Sequence, residues 1–388
     1  MSTFTDPSTT VPRGVERRGP HGLEVVTPRE VPLGGLRAMT VRRTLPQRGR
    51  SLIGAWCFAD HYGPDDVAVT GGMVVPPHPH TGLQTVSWLF TGEVEHRDSL
   101  GTHAMVRPGE LNLMTAGRGI AHSEVSTPAT TILHGVQLWT ALPAAARHSA
   151  PAFDHYAPPR VDLAGGVLRV FLGTLAGSTS PIATATPLLG AELVLDGALT
   201  LDVDPAFEHG VLVDAGPVEV EGEAIQRGEL AYLPPGTERL TLRSLAAGAG
   251  PARLVLLGGP PFGEPVVMWW NFLGGSHEDV VDARADWQAE LAAADTDGAV
   301  AAPDAATLPR AGEVVHPSRG RTYEHPTSRQ MYDLSDGTST AGPAGEARFG
   351  AVTGYPGRAL PAPDLPGVRL MPRTGLGLAR LGQGQPPR

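Results

Sequence analysis

The chain has 388 residues, 41% hydrophobic and 18% charged, a globular composition with room for one large core or two ordinary ones. The formal net charge is −10 and all 30 basic residues are arginine, with no basic stripe, which argues against direct nucleic-acid binding but leaves room for a protein partner. No run approaches the ~18 apolar residues of a membrane span, the start MSTFTDPSTTVPRG lacks an export pattern, and the single Cys57 excludes an internal disulfide and suits a reducing cytoplasm.

Residues 1–20 are polar and Pro/Arg-containing and read as a flexible N-terminus. The 49 glycines and 38 prolines favour turn-dense β architecture over helices. From 21 to 145 the chain reads as short strands between glycine and proline turns, among them LRAMTVRRTL, QTVSWLFTGEVEHRD, AMVRPGELNLMTAG and TILHGVQLWTAL. Residues 146–275 read the same way. VRPGELNLMTAG (106–117) finds an echo in IQRGELAYLPPG (225–236), so a duplicated β-barrel is expected. The second copy has no counterpart to the histidine motifs of the first, so chemistry is expected only in the first. SHEDVVDARADWQAELAAA predicts a helix over 276–294, with Ser276 as N-cap, Asp279 three residues on, and Val280, Ala283, Trp287 and Leu291 at helical spacing. Residues 295–346 read as a flexible insertion or linker. Residues 347–388 form an extended, proline-rich tail whose last fifteen residues are expected to be disordered.

Two histidine-bearing doublets carry the chemistry. His78 and His80 in VVPPHPHTG are i and i+2, which a strand points to one face. His122 and Glu124 in RGIAHSEVS share that spacing. If the two strands are antiparallel neighbours, three imidazoles and one carboxylate converge. That nitrogen–oxygen set suits Fe(II), with Mn, Ni, Cu or Zn as alternatives, and leaves two positions of an octahedral ion open. Other candidates read as structural. His96, Arg97 and Asp98 alternate along what reads as a solvated edge, and His103 as an exposed residue. His134 and His155 lack acidic or histidine companions nearby in sequence, Trp269 and Trp270 read as packing, and Cys57 as buried and inert.

HPHTGLQTVSWLFTGEVEHRDSLG followed by RPGELNLMTAGRGIAHSE closely resembles the pirin family of the cupin superfamily. The likeness extends through GAWCFADHYGP, GVQLWTALP and PVVMWWNF, and RFGAVTGYPGRALPAPDLP (348–366) looks like a bacterial pirin C-terminus. The resemblance implies an all-β bicupin: two tandem antiparallel β-barrels with a short C-terminal helix and an extended tail. It implies a metal, usually iron, in the N-terminal barrel on positions matching His78, His80, His122 and Glu124, and a C-terminal barrel without metal. Where many pirins read His-Pro-His-Arg-Gly-Phe-Glu, this chain has Thr81, Leu83 and Gln84, which removes an arginine and a carboxylate from beside the site. The resemblance further implies an iron-dependent dioxygenase of the quercetin 2,3-dioxygenase type. Its partners would be a small flavonol or enolic aromatic substrate and O2, with Glu124 as both ligand and catalytic base. The alternative it implies is a non-enzymatic, redox-sensing regulator that binds a transcription factor or metabolic enzyme.

Overall fold

The computed structural model describes residues 17–33, 39–245, 250–296, 347–375 and 377–378. Most of the expected N-terminal segment, the insertion after the helix and the last ten residues lie outside that set.

Strands of β-branched and aromatic residues build four principal sheets, two in each half, and their ladders are antiparallel. In the first half a seven-stranded sheet is ordered Ala152–Tyr156, Leu111–Thr115, Leu83–Thr91, Ile132–Ala141, Trp56–Asp66, Met39–Leu45, Arg29–Leu33. A four-stranded sheet, Val74–His80, Ile120–Ser126, Val94–Asp98 and His103–Val106, accompanies it. The second half repeats the plan with an eight-stranded and a four-stranded sheet. This is the expected bicupin. The repeated sequence element takes one conformation twice: Gly109 and Gly228 adopt φ of 75° and 83° at the turns leading into Leu111–Thr115 and Leu230–Leu233. Only a residue without Cβ enters that region at little cost, so each turn requires its glycine.

Sheet membership crosses the boundaries expected at residues 20 and 145. Arg17–Arg18 and Glu24–Val26 extend the large sheet of the second half through pairing with Leu230–Leu233, and Ala152–Tyr156 pairs with Leu111–Thr115 in the first. Each half thus lends a segment to the other.

The two large sheets share a core. Trp56, Val86, Trp88, Val136 and Leu138 from the first half meet Phe171, Leu212, Leu230, Val255 and Leu257 from the second. Alternate residues of the same strands, Ser87, Gln137 and Trp139 among them, turn to the other face, which is also buried. Polar staples cross the shared core: Trp88 Nε1 donates to Glu192 at 3.2 Å, and Glu208 accepts from the Gly54 N–H at 2.6 Å.

The helix spans His277–Thr296 and opens on the expected reciprocal cap: Ser276 Oγ accepts from the Asp279 N–H, and the Asp279 carboxylate accepts from the Ser276 N–H, both at 3.1 Å. Its buried face carries Val280, Ala283 and Trp287. The tail lies against it, with the Glu290 carboxylate accepting from the backbone of Arg348, Phe349 and Gly350. At the start of the expected disordered end, Arg373–Thr374 pairs with Gly377–Leu378. Among the described residues no helix is long and apolar enough to cross a membrane.

Two buried histidines outside the histidine doublets make stability depend on pH. His209 sits inside the second half with neither ring nitrogen partnered, and burial lowers its pKa to about 4. His61 is also lowered to about 4 by burial, against the pull of Asp214. Unfolded imidazoles titrate near 6.5, so the unfolded chain binds the extra protons. The stability is complete above that pH and is lost as pH falls toward 4. Each group is expected to cost about 2 kcal/mol between pH 7 and pH 5. Urea midpoints of wild type and His209→Phe at both pH values check this: the variant should lose less on acidification, and equal losses would contradict it.

Candidate metal centre

Val74–His80 holds three prolines, which a central strand does not tolerate because proline removes a ladder donor. The strand accordingly occupies the edge of its sheet and pairs on one side only, with Ile120–Ser126. That pairing sets His122 directly opposite His78 and Ile120 opposite His80. The three rings cluster, with centroids 4.4 Å apart for His78 and His122 and 5.0 Å apart for each ring with His80. One ring nitrogen from each lies within 4.8 Å of the others, and all three side chains are buried.

The hydrogen bonds around the rings select which nitrogen faces inward. His78 Nδ1 lies 2.9 Å from the Pro76 carbonyl and therefore carries the proton, leaving the Nε2 lone pair free. His96 Nε2 lies 3.2 Å from Asp98 Oδ2, a pure acceptor, so His96 is protonated there and presents its Nδ1 as an acceptor 3.4 Å from His122 Nδ1. His122 then donates from Nδ1 and has a free Nε2, which lies 3.1 Å from His80 Nε2. An ion held by two nitrogens at ~2.1 Å each sets them about 3.0–3.4 Å apart, so the pair fits a shared cation. Burial lowers the pKa of His78 to about 4 and those of His80 and His122 well below the usual value, so all three are neutral and available as ligands at neutral pH.

Glu124 stands one register step along. It falls within 4.8 Å of a group with His122 and His96 rather than with all three imidazoles, because the ladder slips between His122 and Glu124. Burial raises its pKa, opposed by His96 and by the Ser87 hydroxyl, which donates to Oε1 at 3.1 Å.

Comparison with known proteins gives this arrangement a family. The Pirin family model matches residues 38–140, and the model of the pirin C-terminal cupin domain matches residues 189–291. The chain belongs to the pirin family. A Pseudomonas aeruginosa protein named "Putative quercetin 2,3-dioxygenase" is 47% identical over 279 residues, 71% of this chain and 87% of the relative. A pirin-like protein of Caulobacter vibrioides is 34% identical over 64% of this chain and 88% of its own. The crystal structure of quercetin 2,3-dioxygenase from Acinetobacter baumannii superposes with TM-score 0.71 at 30% identity, covering 90% of this chain and 97% of its own.

As a pirin, the chain departs from the common motif after His80, and the structure accommodates the departure without charge. Gln84 is buried, donates to Thr115 Oγ1 at 2.9 Å and accepts from Thr140 Oγ1 at 3.0 Å, which a carboxylate would do only in part.

Two expectations are corrected, the solvated edge and the missing companions. His96 and Asp98, read as a solvated edge, are 3% and 1% exposed, because Val94–Asp98 runs between two strands of its sheet. His-x-Asp at i and i+2 repeats the period of the other two doublets, a signal that could have identified them. His134 does have companions, brought from far along the chain: Asp214 Oδ1 accepts from His134 Nε2 at 2.5 Å and His61 Nε2 at 2.6 Å. That cluster also satisfies the distances of a metal site. However, Arg253 occupies Asp214 Oδ2 at 2.6 Å and Arg42 faces His61 Nδ1 at 3.4 Å, so its hydrogen bonds are complete with cations already in place. Trp270 packs against Phe272 as expected, and it also lines the cavity beside the three imidazoles. His155, bonded to Asn112, also has an acidic companion, Glu110 at 3.6 Å, while the exposed His103 and the buried Cys57 are as expected.

Proposed function

We propose that this pirin is a metal-dependent oxygenase of the quercetin 2,3-dioxygenase type, acting with O2 on an enolic or catecholic aromatic substrate. The observation that carries the reading is the convergence of three buried, neutral imidazoles on one point, with a buried carboxylate beside them and an aromatic-walled cavity above. His78, His80 and His122 through Nε2, with Glu124, would hold one divalent ion. Fe(II) suits this set, as do Mn, Ni, Cu and Zn. When bound, that ion supplies Lewis acidity and open positions for the substrate oxygen and dioxygen.

The chain's own groups supply the rest. Glu124, its pKa raised by burial, is the candidate base for the substrate hydroxyl proton, and Ser87 fixes its orientation. Asp98 and His96 hold the His122 tautomer. Phe58 and Trp139, stacked with centroids 3.9 Å apart, line the cavity with apolar surface that excludes water. The names carried by the Pseudomonas and Acinetobacter relatives support the same reading.

Oxygen uptake by Fe(II)-loaded protein, with catechol and with quercetin and with His78→Ala as the blank, tests it. Uptake that requires both His78 and a substrate is expected. Protein that holds its iron and consumes no oxygen with either substrate would end the oxygenase reading in favour of a redox-linked regulator with a protein partner.

A further inference from the structure

Resting on the proposed role of Glu124 as ligand and base, we infer that Gln137 is a positioning residue for that carboxylate. It acts through Ser87, which holds one Glu124 oxygen away from the ion and leaves the other for it. Glu124 needs such a device. The ladder between Ile120–Ser126 and Val74–His80 slips between His122 and Glu124, so regular pairing does not aim its side chain as it aims His122. Among the described residues, Ser87 supplies the one hydrogen bond to the carboxylate, from Oγ to Oε1 at 3.1 Å, reaching from the large sheet to a strand of the small one. Oε2 is the oxygen left to face the cavity over the imidazoles.

Ser87 Oγ also lies 3.0 Å from Gln137 Oε1, and one hydroxyl proton cannot serve two acceptors. The set is satisfied when the Gln137 amide turns Nε2 toward Ser87, because the two ends of an amide fill the same space. Gln137 then donates to Ser87, and Ser87 directs its only proton to Glu124, the charged and therefore stronger acceptor. The neighbouring groups are otherwise engaged. Gln137 stands directly opposite Ser87 on one side and Asp60 on the other, and the two Asp60 oxygens accept from Arg43 at 2.6 and 2.7 Å. Across the next ladder Ser87 faces Asn112, whose amide is engaged with the Met105 carbonyl at 3.4 Å and with His155 Nδ1 at 2.7 Å. That leaves Gln137 as the neighbour in the row that can fix the serine proton. Ser87 and Gln137 are buried and lie within a sheet rather than in a loop, so the orientation they impose is rigid. Without the Gln137 donor the Ser87 proton is no longer committed to Glu124. Oε1 is then released to join Oε2 on the ion, filling a position that an oxygenase keeps open.

The test is metal binding by full-length protein, read with Co(II) in place of iron. Equilibrium dialysis gives the affinity, and visible absorption of the loaded protein reports the coordination number. Thermal unfolding of metal-free protein checks folding, and Gln137→Leu stands in should Gln137→Met unfold. Ser87→Ala should weaken binding about ten- to hundredfold and Gln137→Met, which keeps the length of the side chain, about tenfold, the range for groups that orient a ligand. Gln137→Met should also give weaker visible bands than wild type, as the carboxylate takes a second position on the ion. Because the effect runs through Ser87, adding Gln137→Met to Ser87→Ala should change affinity by no more than about twofold. The same loss from Gln137→Met in both backgrounds would show a packing role and overturn the inference. Wild-type affinity and spectrum in Gln137→Met would overturn it too. In either case a large loss in Glu124→Ala would leave the metal centre standing. Wild-type affinity in Glu124→Ala would remove the carboxylate from the site, and would overturn both this inference and the role of Glu124 in the oxygenase reading.

Discussion

His122→Ala is expected to weaken iron binding by about a hundredfold or more while leaving the fold intact. His122 is the imidazole on which the arrangement depends: it lies opposite His78, its Nε2 is 3.1 Å from that of His80, and it shares a group with His96 and Glu124. Residues that only orient a ligand typically cost 10–100-fold in metal affinity when removed, so a direct ligand should reach or exceed the upper end. His96→Leu serves as the graded comparison. It removes the acceptor that fixes the His122 proton on Nδ1 and should cost tenfold to a hundredfold, whereas His103→Ala, at the surface beside Glu95, should cost nothing. Equilibrium dialysis against Fe(II) measures all three, with thermal unfolding of the metal-free proteins as the check on folding. Equal affinities for His122→Ala and wild type would remove His122 from the site.

Asp214→Ala is expected to destabilise the protein by about 3–5 kcal/mol, the cost of leaving buried partners without their counterpart. Asp214 is fully buried and accepts from His61 and His134 on one oxygen and from Arg253 on the other. Burial alone would raise its pKa, but the hydrogen bonds from His134 and His61 outweigh this and hold the carboxyl below the usual carboxylate range. Its stabilisation is therefore present above the unfolded carboxyl pKa and lost only in strong acid. Because His61 and His134 lie in the first half while Asp214 and Arg253 lie in the second, the substitution also removes a link between the halves. Asp202→Ala is the control: its contact with Arg239 is solvent-exposed and 3.8 Å long, and should contribute ~0–1 kcal/mol. Denaturant unfolding of the two variants separates the cases, and similar losses in both would contradict the buried role of Asp214.

The legible parts of this molecule are those whose physics is local. Period-two spacing puts the His78 and His80 rings on one face. The Ser276–Asp279 cap can be read from four residues, and the two glycine turns of the repeat need only their own backbone. What sequence does not carry is the neighbour a strand acquires in space. Whether EVEHRD lies at an edge or between two strands depends on where Ile120–Ser126 lands, and that decides whether His96 and Asp98 are solvated or buried beside the site. His134 and Asp214 are 80 positions apart and meet only because the large sheets pack face to face. Leu360 reaches the cavity through a tail anchored by the Glu290 carboxylate and Trp287, contacts without periodicity of any kind. Likewise nothing in Glu24–Val26 says that its partner is Leu230–Leu233.

The central claim, that His78, His80, His122 and Glu124 form one metal site, is tested most directly by anomalous diffraction at the iron edge from crystals of Fe(II)-loaded protein. The account predicts a single strong peak among the Nε2 atoms of the three imidazoles and the Glu124 carboxylate, with nothing between His61, His134 and Asp214. A peak in that second cluster, or none among the three imidazoles of iron-loaded protein, would contradict it.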